Sequence, residues 1–107
     1  MTGSYSERVG LQGALLPWVL NGLDPKTETI AKRLKRHGYT NGVFGKWQLG
    51  HMEKYLPLQN GFDEYAGLIC SNDMWPVDYD GKPLINKKRS YYPNMSFWDG
   101  NEPKNSI

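Results

Sequence analysis

The sequence predicts an α/β chain with one main helix, one or two short strands and long loops. Three observations carry that prediction. Ile30, Ala31 and Leu34 recur at helical spacing, and the run stops at Gly38. A short β-branched and aromatic stretch, 40–44, follows at once. Beyond residue 50, Asn60-Gly61, Asp80-Gly81, Pro83, Pro93 and Asp99-Gly100 punctuate the chain with turns. Helix, glycine, strand and a polar tip make half of a repeating α/β unit. In such sheets ligands sit beyond the carboxyl ends of the strands.

Composition narrows the class. The chain has 107 residues, the length of one small domain, and is 38% hydrophobic and 22% charged, as globular proteins are. A net charge of +2 is too slight to point to nucleic acid. No apolar run has the length of a membrane span; the longest, 15–20, is interrupted by Pro17. Polar residues follow Met1 directly, so no secretory signal is read there. The single cysteine, Cys70, excludes an internal disulfide and reads as a small, semi-buried apolar residue.

In chain order, residues 2–8 read as a frayed helix end entering a loop. Residues 9–23 mix apolar positions with Gly10, Gly13, Pro17 and Asn21-Gly22, so they are expected to be irregular, with Leu15, Leu16, Trp18 and Leu20 turned to the core. The helix is expected to start at Asp24, with Pro25 at its first position, or at Thr27. Lys32, Arg33, Lys35, Arg36 and His37 gather toward its end, where cations complement the macrodipole. A nucleic-acid contact is the rival reading of that run, and a solvated outer face is preferred. Phe62, Tyr65, Leu68 and Ile69 form a short buried element, and Tyr91, Tyr92, Phe97 and Trp98 are late apolar anchors. Asn94-Met95-Ser96 fits the glycosylation pattern, which also arises often by chance.

The chemistry concentrates in the stretch 38–51, GYTNGVFGKWQLGH. Lys46 stands where a strand ends, beside a glycine that lets backbone approach a ligand, and this suits an anionic group. Spacing alone leaves a merely solvated lysine open. The stretch resembles the second signature of the sulfatase family, G-Y-x-T-x-x-x-G-K-W-H-L-G. Upstream, Met1-Thr2-Gly3, Tyr5 and Arg8-Val9-Gly10-Leu11 resemble L-T-G-R-Y-P-x-R-x-G. Downstream, Leu56-Pro57 and the run GFDEYAG at 61–67 resemble L-P-x-x-x-G-F-D-x-Y-x-G, and SNDMWP at 71–76 resembles a block of arylsulfatase-like members. The likeness runs to about Asp80.

That resemblance implies part of a doubly wound, alkaline-phosphatase-like domain from an enzyme that hydrolyses sulfate esters. It implies a nucleophile made by converting a cysteine to formylglycine, and a calcium ion held by carboxylates and an amide. The family's C-x-P-S-R motif is expected just before Met1, so residues 1–107 read as a partial N-terminal domain, inactive alone and completed by the remainder of the sulfatase domain. No catalytic residue and no metal ligand is assigned in this chain. The resemblance gives Lys46 the sulfate-binding role, with Gln48 and Ser71 beside it and His51 and Trp47 behind them. The substrate class it implies is a small sulfate ester or a sulfated glycan, and the parent is expected to be periplasmic, secreted or lysosomal.

Three departures bear on activity. Gln48 replaces the family's usual histidine; an amide donates a hydrogen bond but cannot protonate a leaving group. Losing such an acid costs ~10²–10⁴ in rate. Ser4 stands where arginine is usual, and Ile69-Cys70 where Pro-Tyr is common. His51 as a substitute acid, and Asn72 with Asp73 as metal ligands, are weaker readings than a second-layer histidine and a turn. Two other functions remain: a pseudoenzyme remnant, or a sulfated-glycan module built from Trp18, Trp47, Trp75 and Trp98.

Overall fold

Six residues are too few for a helix to hold itself in water, so α1 (Ile30–Lys35) depends on its ends and its packing. Its cap is Thr29 rather than Asp24 or Thr27: the Thr29 hydroxyl accepts the Lys32 N–H at 3.1 Å, a contact worth about 1 kcal/mol. A tertiary bond selects that cap, because the same hydroxyl donates to the Asn60 carbonyl at 2.8 Å. Asp24 instead accepts the Lys26 N–H at 2.8 Å in a separate turn. At the far end Gly38 takes φ 84°, and Tyr39 N–H reaches back to the Leu34 carbonyl at 3.2 Å. That is a Schellman ending, and it needs the glycine. Ala31 is buried while Ile30 is exposed, so the packed stripe is narrow.

The computed structural model describes residues 1–71, 74, 80–83 and 95–104. The expectations for Asn72, Asp73, Trp75, Tyr91, Tyr92 and Asn94 lie outside the described residues. Within them a four-stranded sheet forms from β1 (Gly42–Phe44), β2 (Glu64–Leu68), β3 (Phe97–Asp99) and β4 (Glu102–Lys104), in that spatial order. β1 and β2 are parallel, with Val43 opposite Tyr65. β2 and β3 are antiparallel, with Gly67 opposite Trp98, and β3 and β4 close a hairpin through Gly100 and Asn101.

The α/β class therefore holds, with more strands than the one or two anticipated. β4 was not legible: Glu102-Pro103-Lys104 has no strand pattern, and Pro103 is tolerated because β4 is an edge. Around the sheet the chain runs in loops with 3₁₀ turns at Ser6–Val9, Glu53–Tyr55 and Pro57–Asn60.

Two apolar clusters support these elements. Trp47, Leu56, Tyr65, Ile69, Cys70 and Met74 form the larger one, and Trp98 packs against it. Leu11, Leu15 and Leu23 form the smaller, with Leu49 touching both. Two expectations for 9–23 are corrected here: Trp18 is 57% exposed and Leu20 71%, while Val19 between them packs inward. After Pro17 the chain alternates sides, and one side only meets the core. No helix among the described residues is long and apolar enough to cross a membrane.

Three of the five basic residues in the run 32–37 are engaged by their own chain. Lys35 Nζ pairs with Asp63 at 2.5 Å, Arg36 forks onto Glu28, and Lys32 Nζ donates to the carbonyls of Pro25 and Thr27. The Lys35 hydrogen bond, helped by the Asn41 N–H, holds the Asp63 carboxyl below its ordinary range. Arg36 does the same to Glu28.

Candidate functional site

β1 ends at Phe44, but its pairing with β2 continues. Gly45 N–H donates to the Ala66 carbonyl at 2.8 Å, and Trp47 N–H to the Leu68 carbonyl at 2.9 Å. The two chains approach so closely that a Cβ on Gly67 would stand 1.9 Å from the Gly45 carbonyl oxygen. That carbonyl also accepts the Tyr65 hydroxyl at 3.2 Å. Burial, with the Cys70 thiol nearby, pushes the Tyr65 phenol far above its ordinary range, so it stays a donor. Lys46 sits between two residues whose backbone is committed to β2, and its own side chain is exposed.

The next residue but one breaks the strand geometry. Gln48 adopts φ 49°, the one positive value for a non-glycine among the described residues. A left-handed glutamine costs about 1–2 kcal/mol, and such residues cluster at functional sites. Tertiary bonds hold it there: Gln48 N–H donates to the Ile69 carbonyl at 2.8 Å, and Leu23 N–H to the Leu49 carbonyl at 2.7 Å. Trp47 faces the other way, 6% exposed, its indole N–H on the Tyr55 carbonyl at 3.0 Å and its ring edge-on to Phe62. Trp47 is the anchor of this turn.

The structure thus gathers Lys46, Gln48 and Ser71 at one end of the sheet, where the parallel strands β1 and β2 finish. Ser71 is half-buried just past β2, two residues after the carbonyl that holds Gln48. Among the described residues the side chains of Lys46, Gln48 and Ser71 have no hydrogen bond or ion pair. His51 goes elsewhere, into a cleft of about 230 Å³ lined also by Pro17, Ile69, Met95, Ser96 and Trp98. An ammonium, an amide and a hydroxyl are all groups able to donate hydrogen bonds to an anion.

Among the described residues no three His, Cys, Asp or Glu side chains cluster in a way that could hold a metal ion. Cys70 is 4% exposed and burial pushes its thiol up, so it is inert packing. The four-tryptophan surface is not formed either: Trp47 is in the core and Trp98 packs against it.

Sequence reading missed the support behind the turn. Asn60 was legible only as half of an Asn-Gly turn, yet it is wholly buried. Its amide donates to the carbonyls of Tyr55 at 3.2 Å and Leu56 at 3.3 Å. A buried polar residue next to a predicted turn carries no periodic signal.

Comparison with known proteins shows the family. Residues 1–101 match the Sulfatase family model. The chain belongs to the sulfatase family. It is 37% identical over 81 residues to arylsulfatase G of Mus musculus, covering 76% of this chain and 15% of that protein. It is 39% identical over 90 residues to N-acetylgalactosamine-6-sulfatase of Rattus norvegicus, covering 83% and 17%. An arylsulfatase of Hemicentrotus pulcherrimus is 37% identical over 103 residues, covering 85% and 18%. In structure, all of this chain superposes on 25% of Ps i-CgsB, with a TM-score of 0.73 and 25% identity. The same protein in complex with k-i-k-neocarrahexaose also matches, at a TM-score of 0.73. The chain spans less than a fifth of the length of these curated relatives.

Proposed function

We propose that this chain supplies the sulfo-binding side of a sulfuric ester hydrolase, with Lys46 as the cation that clamps the sulfate. One observation carries the reading: Lys46 lies at the carboxyl end of β1, its flanking backbone is spent on β2, and among the described residues its ammonium has no partner. Gln48 and Ser71 add a neutral amide and a hydroxyl donor to the same anion. Fixed donors of this kind stabilise charge on the sulfo oxygens better than water, because they need not reorganise. A formylglycine nucleophile and a calcium ion would belong to polypeptide outside these residues, and the chain alone is expected not to turn over.

The names of two relatives narrow the ester. One is an N-acetylgalactosamine-6-sulfatase, and the other, the structural neighbour Ps i-CgsB, is described in complex with k-i-k-neocarrahexaose. A saccharide sulfate is accordingly the favoured substrate class. Gln48 favours a second reading, in which a sulfo group is bound but its ester is not cleaved.

Titrating the chain with inorganic sulfate, followed by NMR, tests the proposal. Lys46 Nζ and the Gln48 side-chain amide should shift with a dissociation constant on the order of 1 mM, and Lys46→Ala should abolish the response. Sulfate-dependent shifts that persist in Lys46→Ala would refute it.

A further inference from the structure

We infer that Asn60, remote in sequence from the sulfo-binding residues, is a positioning residue for the turn that carries them. The inference rests on the functional reading above. A relay of hydrogen bonds runs from the start of α1 to that turn. Thr29, the helix cap, donates its hydroxyl to the Asn60 carbonyl at 2.8 Å. The Asn60 amide donates to the Tyr55 carbonyl at 3.2 Å. The same carbonyl accepts the Trp47 indole at 3.0 Å, and Trp47 lies between Lys46 and Gln48. Two donors on one carbonyl fix its direction in space. The indole must follow that direction, and the backbone on either side of Trp47 follows the indole.

The chemistry of Asn60 separates positioning from mere stabilisation. The residue is completely buried, and among the described residues its Oδ1 has no partner. An unsatisfied buried carbonyl oxygen is costly, so an apolar side chain of the same shape would serve a purely structural role as well. Neither acceptor depends on Asn60 to stay bonded. Tyr55 keeps the Trp47 indole, and the Leu56 carbonyl also accepts Gln59 N–H at 3.1 Å. What leucine at position 60 would remove is the second donor that orients the Tyr55 carbonyl.

The experiment is Asn60→Leu in the full 107-residue chain, with two readouts. Without ligand, the Gln48 three-bond HN–Hα coupling and the hydrogen-exchange protection of the Trp47 indole report the turn. With inorganic sulfate, the shift of Lys46 Nζ reports binding. Expected are a changed Gln48 coupling, an indole exchanging at least tenfold faster and sulfate binding weakened about fivefold, with an unfolding midpoint close to the parent's. Thr29→Ser, which keeps the hydroxyl, should leave all of these unchanged. If Asn60→Leu alters only the midpoint, or leaves the ligand-free signals of Gln48 and Trp47 as they were, the inference is overturned. Should the parent chain itself fail to bind sulfate, the functional reading falls, and the ligand-free signals still decide the role of Asn60.

Discussion

Three cations at α1 and Lys46 are the same kind of group in different surroundings. Lys32, Lys35 and Arg36 are held by carbonyls, by Asp63 and by Glu28. Lys46 has no partner among the described residues, although the backbone around it is bonded on both sides. Lys32, Lys35 and Arg36 spend their charge on the fold, and under the proposed function Lys46 spends its charge on the sulfo group. For a basic residue, a partner inside the chain is thus the better guide to role than the density of positive charge.

The largest expected effect breaks the support of Lys46 outright. Gly67→Ala would drive a methyl into the Gly45 carbonyl. Backbone cannot yield there cheaply, so urea unfolding should show a loss of about 3 kcal/mol or more. A fully stable Gly67→Ala chain would mean that the tip does not depend on the β1–β2 contact. A smaller effect of opposite sign comes from Gln48→Gly. Glycine accepts φ 49° without strain, so stability should rise by about 0.5–1 kcal/mol while sulfate binding weakens.

pH separates the two regions further. Tyr65 and Cys70, under the strand end, both titrate above their ordinary values when folded. The unfolded chain releases those protons first, so stability present below pH 9.0, the ordinary thiol value, should fall as pH rises beyond it. Glu28 and Asp63, paired with the helix cations, are lowered instead. Their stabilisation should be lost as pH drops through and below 4.5 and 3.8, their ordinary values. Both pairs face water, so the alkaline limb of a melting-temperature profile should be the steeper. The smallest effect is Lys35→Ala, which removes an exposed ion pair and should leave sulfate binding unchanged.

How much of this was readable in advance follows from the range of each interaction. The helix end at Gly38 and the strand before Lys46 are set by neighbours in sequence, and both were legible. The helix start was misplaced because Thr29 is chosen by Asn60, 31 residues away. Trp18 and Leu20 were placed in the core on hydrophobicity alone, and that scale does not say which side of an irregular chain meets the sheet. Lys46, Gln48 and Ser71 were named from a motif, and their shared end of the sheet follows from parallel pairing. The left-handed turn at Gln48 had no signal at all, since its cause is a set of tertiary bonds to Ile69, Leu23 and Tyr55.

The most direct test compares the two kinds of cation in one spectrum. With side-chain nitrogens labelled, inorganic sulfate added to the chain should move the Lys46 Nζ resonance and leave Lys32, Lys35 and Arg36 in place. Movement of the helix resonances with Lys46 silent would contradict the account.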